Sequence, residues 1–249
     1  MDIAIKKNMS ISFSDTVNLT GGLQQVRNML RVDATQYPTV RVVNSYNNWL
    51  DTVTGYAIGA DRRFQWDDTN HTKLPIGTTN LVANQSDYSF LTDEQGNAIL
   101  NLTRIDILDS NGLYRKLDVR DMADNDLAED TLLTTAGLPT EYDKIADNII
   151  RLTPKPVSSV TAGLKFYFQR TGSYFTVADT TKSPGVPPLL HRGFIIASVY
   201  DALLAGIGSA NLQAVSVEME KERIKMETYF RNRNTDEIPV LTTPAINSI

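Results

Sequence analysis

Along the chain the apolar positions follow a helical period, then an alternating one, then a helical one again. Val40, Val43, Asn47, Leu50, Val53, Ala57, Ala60 and Phe64 recur at steps of three and four after Tyr37-Pro38. That stripe predicts a helix from the proline to about Trp66, with proline suited to its first turn. Gly55 and Gly59 weaken it slightly but permit close packing. From residue 75 the period shortens. Strands are expected at Thr78–Ala83 and Asp87–Leu91, joined through Asn84-Gln85-Ser86, then at Ile99–Leu108 and Leu113–Val119 around Asp109-Ser110-Asn111-Gly112, which has hairpin-turn chemistry. A short acidic helix, Met122–Thr135, is stopped by Gly137 and Pro139. Further strands follow at Tyr142–Ala146, Ile149–Leu152 and Leu164–Arg170, with Tyr174–Val177 as an extension.

Helical periodicity returns after Ser183-Pro184-Gly185-Val186-Pro187-Pro188. Leu189–Ile207 is apolar nearly all round, as a buried helix is, and Gly206 and Gly208 end it. Asn211–Arg233 mixes charges around a stripe of Leu212, Val215, Met219, Ile224 and Tyr229-Phe230. The two ends differ. Residues 1–35 are rich in Ser, Thr, Asn and Asp with a Gly21-Gly22 breaker pair. They allow only a short helix with Leu23, Val26, Met29 and Leu30 on one face. Too few apolar groups are present to offset ordering entropy, so this arm is expected to order against the body or a neighbour. Residues 234–249 read as an extended tail. The fold class expected is α+β: a helical bundle of one N-terminal and two C-terminal helices (36–74 and 179–233), an inserted antiparallel β-sandwich-like domain (75–178) and extended termini (1–35 and 234–249).

Composition narrows the function classes. The chain has 249 residues and no cysteine, which excludes disulfides, thiolate metal sites and cysteine nucleophiles. No apolar run reaches the roughly 18 residues a membrane span needs. The two lysines of Met1–Lys7 precede no apolar stretch, so no signal peptide is expected and synthesis is placed in the cytoplasm. The net charge of −5 is uneven. Residues 91–150 hold 13 acids and 5 bases, a balance of −8, whereas residues 151–249 hold 8 acids and 11 bases, +3. An acidic middle argues against wrapping nucleic acid.

No constellation with catalytic spacing emerges. His71 and His191 fall in no ligand pattern and read as structural or exposed. Asp67, Asp68 and Asn70 could supply oxygens to a cation but lack the full calcium-loop pattern, and a helix-ending turn explains them. Asp121, Asp124, Asp126, Glu129 and Asp130 read as a solvated helix face rather than a glycosidase pair. There is no phosphate-binding glycine loop, and Ser14, Ser86 and Ser158 lack a nucleophile-elbow context. Tyr167, Phe168, Tyr174 and Phe175 could stack on sugars or bases, but as alternating strand residues they read as core. No enzyme activity, cofactor or metal is expected.

Four stretches carry a resemblance. They are Asn47-Asn48-Trp49-Leu50-Asp51 with Phe64-Gln65-Trp66-Asp67-Asp68-Thr69-Asn70; Leu74-Pro75-Ile76, Thr78-Thr79-Asn80-Leu81-Val82 and Gln85-Ser86-Asp87-Tyr88-Ser89; Leu138-Pro139-Thr140-Glu141-Tyr142 with Ile150-Arg151-Leu152-Thr153-Pro154-Lys155-Pro156; and Phe166-Tyr167-Phe168-Gln169-Arg170 with Pro184-Gly185-Val186-Pro187 and His191. In order and spacing, over residues 36–232, they resemble head-to-tail adaptor (head-completion, connector) proteins in the neck of tailed bacteriophages, chiefly those with an inserted β domain. The resemblance implies a structural virion protein at the head-tail junction. It would bind the portal as an oligomeric ring, usually of twelve copies, meet the next neck or tail protein (a stopper or tail terminator), and line a channel through which genomic DNA passes without sequence-specific binding. It also implies a C-terminal segment that docks on the portal, here through Ile238, Val240, Leu241, Ile246 and Ile249. Ring closure needs unlike faces that meet, and the mixed-charge helix, through Glu218, Glu222, Arg223, Tyr229 and Phe230, is the candidate for one of them. The competing expectation is a tail-associated module that binds carbohydrate or a receptor through exposed aromatics of the β block.

Overall fold

The structure, a computed structural model, describes residues 10–60, 76–120 and 135–232. Over these the chain is α+β, with four α-helices and predominantly antiparallel sheets. The helices are α1 (Gly22–Leu30), α2 (Thr39–Ala60), α3 (His191–Leu204) and α4 (Leu212–Arg231). The strands are β1 (Ile76–Leu81), β2 (Asp87–Ser89), β3 (Ile99–Leu108), β4 (Tyr114–Lys116), β5 (Asp118–Val119), β6 (Ala136–Gly137), β7 (Glu141–Ala146), β8 (Ile149–Thr153), β9 (Lys155–Pro156) and β10 (Val160–Arg170).

The buried apolar residues fall into two clusters that share no member. One joins the four helices to Phe13 and Phe175 and includes Val26, Leu30, Tyr46, Trp49, Phe194, Met226 and Phe230. The other lies wholly within residues 81–168 and includes Ile105, Ile107, Ile150, Leu152, Leu164, Phe166 and Phe168. Of the helices, α3 is the most enclosed. Gly193 through Val199 are all buried, and α1, α2 and α4 all contact it. Its largely apolar circumference favours that position, and Arg192, Asp201 and Leu204 are what it leaves exposed.

Residues 10–35 order against the body of the chain, with α1 where a short helix was allowed, rather than extending as an arm. Phe13 is buried against Tyr46 and Phe175, and Leu23, Val26 and Leu30 complete the same core. Gly22 and Leu23 at the start of α1 donate their N–H groups to the carbonyls of Ser12 (2.9 Å) and Phe13 (2.8 Å). The preceding backbone thus satisfies donors that a helix start leaves free. This close approach explains the glycine pair: a Cβ on Gly21 would overlap the Asp15 amide, and one on Gly22 would overlap Tyr46 Oη. Phe13 and Ser14 also donate to the carbonyls of Lys182 (2.6 Å) and Thr180 (2.9 Å), stitching the segment to the chain that leads into α3.

Helix registers differ in detail from the expected stripes. The buried side of α2 is centred on Val42, Tyr46, Trp49, Val53 and Ala57, while Val40 is exposed. Gly55 and Gly59 face open space rather than a neighbouring helix of this chain. In α4 the inward residues are Val215, Glu222, Met226 and Phe230, and both Leu212 and Ile224 are exposed. Met29 of α1 is also exposed. The expected Phe64 and Trp66 lie outside the described residues.

Two four-stranded sheets, ordered β1-β10-β3-β4 and β2-β8-β7-β5, contribute to the second core, and β6 pairs with β9 separately. Only β5–β7 and β6–β9 are parallel. The β3–β4 hairpin forms as expected. Asp109 Oδ1 accepts the N–H groups of Asn111 (2.8 Å) and Leu113 (2.9 Å), and Gly112 supplies the positive φ of 75° that the turn requires. Three expectations change. Residues 113–119 are not one strand: β4 and β5 belong to different sheets, and buried Leu117 marks the crossing. The turn at residues 84–86 likewise hands the chain from one sheet to the other, so β1 and β2 do not pair. Tyr174–Val177 forms no strand, because Phe175 plugs the helical core while Asn47 clamps its backbone through Nδ2–H to the carbonyl (3.0 Å) and Oδ1 from the amide (2.8 Å). The expected acidic helix, Met122–Thr135, lies outside the described residues except for Thr135.

Candidate functional site

The charged residues of α4 form a chain of ion pairs, several with intramolecular partners on α3. Asn211 caps the helix, its side chain accepting the Ala214 amide at 3.2 Å. Glu218 and Glu222, one turn apart, would repel in isolation. Arg192 of α3 lies between them, 3.8 Å from each, and Lys221 (2.8 Å, to Glu218) and Lys225 (3.2 Å, to Glu222) add a second cation to each. The Lys221 hydrogen bond holds the Glu218 carboxyl below its usual range, and Arg223 does the same for Glu220. Arg223 bonds Glu220 (2.6 Å), pairs with Glu227 (3.3 Å) and reaches Tyr56 Oη on α2 (3.5 Å).

Five residues were expected at a subunit interface, and the fold separates them. Phe230 is 2% exposed and Glu222 is 6% exposed, both facing the chain's own core. Tyr229 is half-buried and packs edge-to-face on Phe230 at 5.3 Å. Glu218 and Arg223 are partly accessible. Phe230 and Glu222 therefore serve internal packing, while beyond Leu212 in its first turn α4 turns outward Val217 and Ile224, 53% and 50% exposed. A helical wheel drawn from the sequence could have found them, since each is about opposite Phe230 or Met226.

His191 is buried and both ring nitrogens are used. Nδ1 accepts the Ile11 amide at 3.0 Å, and Nε2 lies 2.8 Å from the Val186 carbonyl, which requires the neutral ring protonated on Nε2. It is a structural clamp between the N-terminal segment and the start of α3. Toward the C-terminal end of α3, an open groove of about 310 Å³ runs between α2 and α3, lined by Tyr37, Arg41, Asn44, Asn48 and Asp201. Ser45 donates to Asp201 there.

The β unit holds a cleft of about 380 Å³ between β1 and β2, both edge strands. Phe90, Phe166, Phe168 and Arg170 line it together with Asp93, Glu94 and Gln95. Its buried polar groups already have partners. Asp93 accepts the amides of Gln95 (2.9 Å) and Asn97 (2.7 Å) and lies 3.4 Å from Arg170 Nε. Of the four aromatics singled out from the sequence, Phe168 and Phe175 are core, and Tyr174 is partly exposed with its hydroxyl donating to Asp51 (2.6 Å). Tyr167 lies on the outward face of β10 beneath two cations, Arg104 at 5.3 Å and Lys165 at 5.5 Å from its ring centre. That cationic, tyrosine-bearing face was missed. Its signal was the alternation of Lys165 and Tyr167 between core phenylalanines.

Among the described residues no group of three His, Asp or Glu side chains is placed to hold a metal ion. Asp67, Asp68, Asn70, His71, the acidic run Asp121, Asp124, Asp126, Glu129 and Asp130, and the expected portal-docking residues Ile238, Val240, Leu241, Ile246 and Ile249 lie outside the described residues. No helix among the described residues is long and apolar enough to cross a membrane. Compared with known proteins, the chain matches no protein-family model and no curated relative.

Proposed function

We propose that this chain is a structural, non-catalytic virion subunit: a head-to-tail adaptor that forms a ring, of about twelve copies, between portal and tail and lines the DNA channel. In this reading the helices form a bundle that carries the ring, and the two sheets form a β-sandwich inserted between α2 and α3. The observation that supports it is the splice itself: a β unit with its own apolar core interrupts a helical unit whose core is separate. A subunit that must meet a portal and a tail protein at once needs two surfaces of independent stability. The net acidity, −5, suits a conduit that must let DNA slide.

The C-terminal tail, through Ile238, Val240, Leu241, Ile246 and Ile249, is assigned to the portal. Deleting Asn234–Ile249 is expected to leave a folded protein that no longer decorates purified portal rings in negative-stain images. Normal occupancy by the truncated protein refutes that role. A second reading, a tail-associated module that binds carbohydrate or a receptor, is favoured by the cleft between β1 and β2 with its phenylalanine floor. It predicts glycan-array binding that is lost in Arg170→Ala.

A further inference from the structure

The face of the β1-β10-β3-β4 sheet that points away from the second core is cationic. Strand register places Ile76, Tyr167 and Arg104 in one row across it, and Thr78, Lys165, Asp106 and Lys116 in the next. Arg104 and Lys165 lie against the Tyr167 ring, and Lys165 also lies 5.2 Å from the ring centre of Tyr114. The rings hold the cations flat along the sheet. The one carboxylate in these rows, Asp106, is buried and bonded to Arg104 at 2.6 Å.

The arginines and the lysines of the β unit differ in their partners. Each described arginine of the unit has a carboxylate: Arg104 with Asp106, Arg115 with Asp109, Arg120 with Glu141, Arg151 with Asp87 and Arg170 with Asp93. Among the described residues no carboxylate pairs with the unit's lysines, Lys116, Lys144, Lys155 and Lys165, and of these Lys116 and Lys165 lie in the rows named above. The same chain carries, at residues 121–134, five carboxylates (Asp121, Asp124, Asp126, Glu129 and Asp130) and no basic residue. That stretch departs after β5 and returns at β6, and neither strand belongs to the cationic sheet.

We propose that this face is a docking surface for a second copy of the chain, and that its occupant is the acidic segment 121–134 of that copy. The contact is heterologous, one unlike face on another, and can therefore propagate around a ring. Aligned unlike charges chiefly set orientation and capture rate, so the association is salt-sensitive. The inference rests on copies meeting one another, as the adaptor reading requires. It does not depend on portal binding.

Sedimentation velocity of the full chain tests it without portals. At low salt the wild type is expected to self-associate, and at about 0.5 M salt, where screening confines charge interactions to roughly 5 Å, to do so about tenfold more weakly. Lys116→Gln/Lys165→Gln should weaken association by about tenfold, with Lys116→Arg/Lys165→Arg retaining it. Asp124→Asn/Asp126→Asn/Asp130→Asn should match the glutamine variant's loss. Mixing the glutamine and asparagine variants restores one good interface per pair, so dimers and nothing larger are expected. A wild type that stays monomeric at low salt, salt-independent association, or glutamine variants that associate as the wild type does would each overturn the proposal. So would DNA binding that the wild type shows and the glutamine variant lacks, which would reassign the face to nucleic acid. Because portals are absent, failure here leaves the tail-deletion experiment untouched, and the reverse also holds.

Discussion

Phe175→Ala tests whether the two cores are energetically separate. The ring is 2% exposed and touches Phe13 and Tyr46 at centroid distances of 5.3 and 5.4 Å. Removing a buried phenylalanine side chain costs about 3–5 kcal/mol, the larger figures arising where the surroundings cannot collapse. Collapse is hindered here, because Asn47 holds the backbone of residue 175 from both its amide and its carbonyl. A loss of about 4 kcal/mol is therefore expected, a large share of the roughly 5–15 kcal/mol that stabilises a typical domain. For a unit of about a hundred residues this lowers Tm by roughly 20 °C. Hydrogen exchange read by mass spectrometry, alongside calorimetry, provides the assay. Amides of α1–α4 should exchange far faster in the variant, while those of β3 and β10 keep their wild-type protection. Equal loss in the β strands would mean that the two clusters unfold as one. A destabilisation below about 1 kcal/mol would mean that the ring is not the plug the geometry makes it.

Gly22→Ala should destabilise by about 2 kcal/mol, since its Cβ overlaps Tyr46 Oη, and adding Tyr46→Phe should recover part of that loss in a double-mutant cycle by chemical denaturation; strict additivity refutes the clash. Burial pushes the Tyr37 and Tyr174 hydroxyls up to about 12, with Asp51 adding to the shift at Tyr174. Their neutral forms favour the fold, so that contribution is complete below pH 10 and fades between about pH 10 and 12; ultraviolet titration showing these rings ionising near pH 10 in the folded protein contradicts it. Val217→Ser/Ile224→Ser should leave the melting temperature nearly unchanged yet weaken assembly, whereas Phe230→Ser should unfold the helical unit; the reverse ranking by thermal melts and sedimentation would place the outward face of α4 wrongly.

What could be read from the residues depended on whether local chemistry or distant partners decided the outcome. Helix α3 was legible because a segment apolar on every side has only one place to go. The β3–β4 hairpin was legible because Asp109 and Gly112 specify the turn within six residues. Phe13 was not, since one phenylalanine among Ser, Asn and Thr carries no periodic signal, and its burial depends on Tyr46, Phe175 and the carbonyls at 180 and 182. Helix existence was likewise visible in α2, and so was most of its buried face, since Val43, Leu50, Val53 and Ala57 are buried as expected; the outward turn of Val40 was not. Val40, Val42 and Val43 offer competing stripes, and the choice falls to Tyr46 and Trp49, whose large surfaces gain most from burial. Phe230 reads from the sequence as an interface residue for a related reason: it marks an apolar stripe equally well whether the neighbour is another copy or the core of the same chain.

That ambiguity bears on how α4 could meet a neighbour. Arg192 from α3 neutralises Glu218 and Glu222 from within the chain, so these carboxylates are poor candidates for a new cation: a partner would have to displace a pair already formed. Breaking one partner away from buried Glu222 would leave a charge with little water. The side of α4 turned away from Arg192 offers an apolar pair instead, beside charges that are paired within α4 itself. Val217 and Ile224 lie two turns apart there, near exposed Lys221, Glu220 and Arg231. An apolar pair flanked by both signs of charge is a surface on which burial supplies affinity and the flanking charges supply register. If copies of this chain pack through α4, the contact is centred on Val217 and Ile224, and the acidic residues that first drew notice act behind it, fixing α4 on α3 so that this edge is presented rigidly.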